Sequence, residues 1–358
     1  MRHLRYGIIV LVVAALALGF SGCRGKPDPE ADDVAAVEDV AVVPAGPATE
    51  RRVLVLCYHA MSDGATATYD VPTGDFAEQL ALLDEEGYES VLPAQIADYL
   101  EGKGDLPEKA VCITFDDGPE SILTESKPLM DEHGYTGAAF LIADSVGGSG
   151  KLTWDQVREL EAAGWEIGSH TACHEKPTKL DADACMAEFE GSRETIAAEI
   201  EGDCAALAYP FGLYDAGVVA RAREAGYRIA FTIDRGPADW TTDIMMVPRQ
   251  MLVNGNSLKT FGRWLEQEKL HLEDVTPAIG ERMETSAPEF TATVADEGVS
   301  PGELEISRDG NPVTYLIDEA TRTVTFTPEL SEGANNLRVN YYGSPRREVS
   351  WVVVYEAS

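Results

Sequence analysis

The stretch "CITFDDGPE", residues 112–120, ends a wholly apolar run on two adjacent carboxylates, Asp116 and Asp117, followed by a Gly-Pro turn. An apolar run without alternation is what a strand covered on both faces requires, which points to a parallel sheet flanked by helices. Adjacent aspartates repel one another, and close to a core they are destabilising unless a cation or a proton compensates them. Asp and Gly are also ordinary turn formers, so the stretch alone leaves a solvated turn open. The reading is decided by what surrounds it.

From Arg51 to Leu270, helical and strand-like segments alternate. Helix-like runs such as "FAEQLALLDEE", "WDQVRELEAA" and "AGVVARAREA" carry apolar residues three or four apart. Four segments pass through Gly87, Gly134, Gly164 or Gly226 into an aromatic residue and then a strand, as expected where glycine closes a helix in the left-handed conformation. The runs "VLVLCY", "AVCITF", "AAFLIA" and "ALAYPF" are nearly continuous apolar strands. This is an α/β domain, either an open doubly wound sheet or a barrel. After about Asp274 the pattern changes to short alternating strands with turn residues between them. Residues 275–358 are therefore expected to form a small immunoglobulin-like β-sandwich. That segment contains no His and no Cys, so it reads as a spacer or as a glycan- or protein-binding module.

The N-terminal residues read as an export signal: a basic start, the apolar core "IIVLVVAALALGF", and "SGC" at 21–23. The core is short for a membrane span, which needs about 20 residues. The small residues before Cys23 resemble the lipobox of bacterial lipoproteins, which makes residues 1–23 a signal peptide and Cys23 a lipidation site. A lipid-anchored protein of the cell envelope, periplasmic or at the cell surface, follows as the expectation. Residues 24–50 are acidic and rich in Ala and Pro, a composition expected of a disordered tether. The chain holds 62 acidic against 28 basic residues, a net charge of −34. That balance excludes a nucleic-acid binder, which needs Lys and Arg against phosphate. Of six cysteines, an odd number remains if Cys23 is lipidated, and no CxxC pair suggests a cysteine zinc cluster.

A second polar cluster, "WEIGSHTACHEKP" at 165–177, places His170 and His174 four apart after a strand-like run. That spacing lets two imidazoles face one cation. Strand ends of parallel α/β folds meet on one face. Two histidines with one carboxylate then make a three-ligand catalytic site, and the other aspartate is left to take a proton from water.

"TFDDG" followed by "HTACH" resembles the first two motifs of the polysaccharide deacetylases, the NodB-homology group or carbohydrate esterase family 4. The resemblance extends over residues 52–260 and implies a distorted (β/α) barrel, here residues 51–272. By that resemblance Asp116 is the general base, and Asp117, His170 and His174 bind a divalent metal, zinc first, cobalt or nickel as alternatives. "AYPFG" at 208–212 resembles the third motif and implies an oxyanion donor in the backbone N–H of Phe211, with Tyr209 or Phe211 lining a sugar groove. The arginine that usually opens this motif is missing, and Arg249 in "VPRQML" is the candidate to orient Asp116 instead. The Leu-x-His of the fifth motif is not evident either; His271 lies in unsuitable surroundings. His59 in "VLVLCYHAM" is the candidate general acid, since this start resembles the branch acting on poly-β-1,6-N-acetylglucosamine. Trp240 in "DRGPADW" resembles the fourth-motif groove wall. Cys173, between the two histidines, is expected to pack quietly. The reading that results is a metal-dependent hydrolase removing N-acetyl groups from an extracytoplasmic polysaccharide, poly-β-1,6-N-acetylglucosamine first. Peptidoglycan or chitin N-deacetylase and acetylxylan esterase are alternatives within the class. An inactive surface glycan-binding lipoprotein is the alternative outside it.

Overall fold

Two apolar runs form the centre of the sheet. Strands β1 (Arg52–Tyr58) and β3 (Ala110–Phe115) pair in parallel from Val53 opposite Ala110 to Tyr58 opposite Phe115. Every residue of β3 and all but Arg52 of β1 are buried, as a strand covered on both faces must be. The structure is a computed structural model that describes residues 50–357 apart from Ala65. The expected signal peptide, Cys23 and residues 24–49 of the expected tether lie outside the described residues.

Around this pair the chain runs α1 (Thr73–Glu85), β2 (Glu89–Ser90), α2 (Pro93–Leu100), α3 (Lys127–Glu132), β4 (Ala138–Leu141), α4 (Trp154–Ala162), β5 (Glu166–Ser169), α5 (Ala182–Ala197), β6 (Ala206–Ala208), α6 (Ala216–Glu224), β7 (Ile229–Phe231), β8 (Ala238–Asp239), β9 (Gln250–Met251) and α7 (Leu258–Leu265). The strands lie in the order β7-β6-β5-β4-β3-β1-β8, with β2 also beside β3 and β9 also beside β1. All pairings are parallel except β1 with β8. The sheet is curled: alternate residues such as Val53, Val55, Cys112 and Phe140 fill an inner cluster that α2 joins through Ile96 and Tyr99. Leu54, Leu56, Ile113 and Phe115 face the outer cluster built with the other helices. Gly87, Gly134, Gly164 and Gly226 all have φ between 69° and 87°, the left-handed conformation expected after each helix. The apolar run "ALAYPF" is a strand only over β6; Pro210–Gly212 form a 3-10 turn.

The remaining chain forms two sheets. Strands β10 (Glu268–Lys269), β12 (Arg282–Met283), β14 (Leu304–Arg308), β15 (Asn311–Pro312), β18 (Gly333–Tyr341) and β19 (Arg347–Tyr355) make one. Strands β11 (Leu272–Thr276), β13 (Phe290–Val294), β16 (Tyr315–Asp318) and β17 (Thr323–Phe326) make the other. They share a core containing Phe290, Phe326, Leu337 and Trp351. Glu268 and Lys269 already pair with β19, so the β part begins a few residues before 275. Period-2 alternation gives β19 two roles: Trp351 and Val353 belong to the β core, whereas Val352 and Val354 belong to the outer cluster of the α/β part. The five cysteines among the described residues are all free.

Candidate active site

Asp116 continues the ladder beyond β3 by donating its N–H to the Tyr58 carbonyl at 2.9 Å. Its carboxylate is 2% exposed and meets Arg249, itself 0% exposed. Nη1 of Arg249 donates to Oδ1 at 2.7 Å and Nη2 to Oδ2 at 2.8 Å. The guanidinium is fixed by Thr114 Oγ1 at 3.2 Å and by the Thr232 carbonyl at 2.9 Å, and it lies over the rings of Phe140 and Phe231. Burial, the largest influence, would raise the Asp116 carboxyl; the Arg249 charge and hydrogen bonds, together with the nearby histidines, outweigh it and hold the group well below the usual carboxylate range. A third donor, the buried Cys57 thiol, lies 3.4 Å from Oδ2. Burial pushes that thiol well above its ordinary value, so it stays protonated.

Asp117 turns the other way. Its φ of 68° is a conformation that costs a non-glycine residue roughly 1 kcal/mol or more. Lys151 Nζ holds the Asp117 carbonyl at 2.8 Å. The histidines come from the loop after β5. His170 Nδ1 lies 2.7 Å from the Ala208 carbonyl, so this nitrogen must carry the proton, leaving the Nε2 lone pair free. Thr171 and His174 also take positive φ, 65° and 62°, and this bend swings His174 back. The two Nε2 atoms are 3.2 Å apart, and each lies 3.7 Å from Asp117 Oδ1. Burial pushes both imidazoles down, which keeps them neutral. Asp117 Oδ1 is buried without a hydrogen-bond partner. One unsatisfied carboxylate oxygen against two imidazole lone pairs is unfavourable by itself and satisfied by a divalent cation. These three donor atoms all lie within 4.8 Å of one another, so the residues fit a metal.

Other expected residues are placed unevenly. His59 follows β1 on the same face, stacks on Tyr69 with ring centres 5.1 Å apart, and has a buried Nδ1 without a partner. It lies close enough to influence both Asp116 and His174 electrostatically. Phe211 is 47% exposed, with its ring centre 4.5 Å from that of His174 and 5.2 Å from Lys176 Nζ. Its φ of 58° presents the ring to solvent beside the cluster.

Two groove assignments need correction. Tyr209 is completely buried with Phe189 and Tyr214, because it takes the next inward position after β6; it lines no groove. Trp240 is exposed, but at the wrong end of the sheet. It follows β8, where Asp239 pairs with Arg52 at the start of β1, whereas Asp116 stands beyond the other end. Seven residues of strand separate the two by about 20 Å. Cys173 does not pack inside; it is exposed and its thiol reaches Asp144 Oδ2 at 3.1 Å. His271 lies far from the cluster, between Asp239 and Asp296 at 2.6 and 2.9 Å. Cys57 and Lys151 had no signal of their own in the sequence, since a strand cysteine and a loop lysine are ordinary residues until the fold aims them.

Residues 103–230 match the polysaccharide deacetylase family. YxkH of Bacillus subtilis (strain 168), named as a polysaccharide deacetylase, is 26% identical over 244 residues, 68% of this chain and 87% of that protein. The poly-beta-1,6-N-acetyl-D-glucosamine N-deacetylase of Escherichia coli (strain K12) is 24% identical over 255 residues; the match spans 59% of this chain and only 38% of that protein. Among solved structures, IcaB from Ammonifex degensii aligns with a TM-score of 0.54 at 26% identity, over 60% of this chain and 97% of that one. The Streptococcus pyogenes deacetylase PplD has the same fold, with a TM-score of 0.57 at 22% identity over 61% and 99% of the two chains. The curled sheet, with its Asp-Asp and His-His pairs on one face, is thus that of a polysaccharide deacetylase domain, matched by the family over residues 103–230.

Proposed function

We propose that the chain is a metal-dependent N-deacetylase of an extracytoplasmic polysaccharide, with poly-β-1,6-N-acetylglucosamine as first substrate. The observation that carries this reading is the unsatisfied Asp117 Oδ1 facing two imidazole nitrogens, beside a separately held Asp116. Asp117, His170 and His174 would hold the cation, zinc first and cobalt or nickel next. Such a cation is a Lewis acid that makes water more acidic and polarises the acetamide carbonyl.

Asp116 accepts the proton of the attacking water. Gripped by Arg249 on both oxygens, it is a weak base, but it is fixed in orientation and cannot rotate away. The Phe211 N–H would donate to the developing oxyanion, and the exposed Phe211 ring would offer a face for a sugar. His59 delivers a proton to the departing nitrogen, so that water and acetamide give acetate and a free amine. The β part, read as an immunoglobulin-like sandwich, would bind glycan or a protein partner. A lipid at Cys23 would hold the enzyme at the cell envelope.

The test is acetate release from β-1,6- and β-1,4-linked N-acetylglucosamine oligomers, peptidoglycan and acetylxylan, with zinc, cobalt, nickel or chelator. Release from the β-1,6 series that requires metal and disappears in Asp116→Asn is the expected result. Release from another glycan alone would replace the substrate. No release from any, with glycan still bound, would leave a binding protein.

A further inference from the structure

A polar cleft of about 700 Å³ is lined by residues that follow closely in the chain on His174 and Phe211, and none of the residues discussed above as catalytic lines it. One wall is the loop Pro177–Asp181, which leads into α5, and the first turns of α6; the other is the Gly280–Arg282 segment of the β part, with Glu356. The helices of an α/β barrel start on the face where its strands end, so this cleft opens toward the side that carries the cluster. The chain keeps the two close: only two residues lie between His174 and Pro177, and three between Phe211 and Asp215. Lys176, over the Phe211 ring, bridges the interval.

The walls are held rigidly. Arg282 of β12 donates to Asp215 Oδ2 at 2.8 Å, to the Thr178 carbonyl at 2.7 Å and to Glu356 Oε1 at 2.5 Å. Ala216 N–H donates to the Gly280 carbonyl at 2.9 Å. One cation in the cleft is left over. The guanidinium of Arg221, a half-buried residue, makes no hydrogen bond or ion pair among the described residues. Its Nη1 lies over Gly217, where a Cβ would come within 2.9 Å of it. The missing side chain at 217 is thus what allows a guanidinium with unused donors to lie along the cleft floor. Acids and bases alternate around it, Asp181 and Glu281 with Lys179 and Arg221, so no field of one sign favours a polyanion. Hydroxyl and acetamide groups, which both donate and accept, suit such a lining.

We propose that this cleft is a distal subsite for sugars of the same glycan chain, built jointly by the α/β and β parts. The proposal rests on the deacetylase reading for the identity of the chain. Binding of dimers through hexamers of β-1,6- and β-1,4-linked N-acetylglucosamine would be measured by calorimetry on the full chain with chelator present. Acetate release by metal-loaded protein would be followed separately. The expected result is tighter binding with length, and a hexamer-to-dimer affinity ratio that falls about tenfold in Arg221→Ala, one charge-assisted hydrogen bond. Glu281→Ala, on the β wall and exposed, should lower the same ratio, and melting temperatures identify any variant that fails to fold. Length-independent binding by the native chain, or a ratio unchanged in both variants, would overturn the subsite. Absent acetate release with length-dependent binding intact would instead remove the deacetylase reading and keep the cleft.

Discussion

Arg249 and Asp116 form a pair in which neither member can be lost alone. Both are buried, and removing one partner of such a pair leaves an uncompensated charge, a cost of about 3–5 kcal/mol. Arg249→Ala should therefore lower the urea midpoint strongly as well as abolish activity, and an Arg249→Ala protein as stable as the native one would contradict the geometry. Cys57 acts more gently. Cys57→Ala removes one of three donors to Asp116 and should reduce kcat by roughly tenfold, about 1.4 kcal/mol, with KM little changed. Cys57→Ser, which keeps a donor, should recover most of it; equal kcat in all three would exclude a positioning role. At Asp117 the readout is metal itself. Zinc at one hundred times its Kd should stabilise the native chain by about 2.7 kcal/mol, and Asp117→Asn should show little of that gain in a thermal melt.

Among elements, the junction between β8 and β11 is where pH should act on stability. His271 bridges Asp239 and Asp296, which accept from its two ring nitrogens, and this raises it to about 9. Its unfolded value is about 6.5. A group raised on folding contributes fully below the unfolded value and loses its contribution as pH rises through the folded one. The junction should therefore weaken between about pH 6.5 and 9. Because the ring is partly exposed, the effect is smaller than the shift implies. Urea midpoints of native and His271→Gln protein should converge across that window; parallel curves would show that the bridge contributes nothing. The strand β8 also explains Trp240. Residue type made it look like a groove wall, but the antiparallel return of β8 along β1 carries it to the opposite end of the sheet.

At the scale of the molecule, β19 packs into both parts, which should make them unfold as one unit. Val352 and Val354 are buried in the α/β cluster while their neighbours fill the β core, and Arg52 donates to the Leu265 and Gln267 carbonyls. Val352→Ala with Val354→Ala should cost about 2–3 kcal/mol and still melt in one calorimetric transition; two separated transitions would show independent parts. Local spacing determined what could be read directly: the doubly covered strands, the glycine-closed helices, Asp116 and Asp117 at a strand end, and His170 and His174 one bend apart. Each of these depends on residues within a few positions of one another, where periodicity and φ preference act. Tertiary structure decided the rest. Arg249 reaches Asp116 across 133 residues, Tyr209 turns inward while Phe211 turns out, and the β part closes one wall of a cleft. Those outcomes follow from sheet order and from which surfaces meet, and burial and electrostatics act on them only after the chain has brought distant residues together.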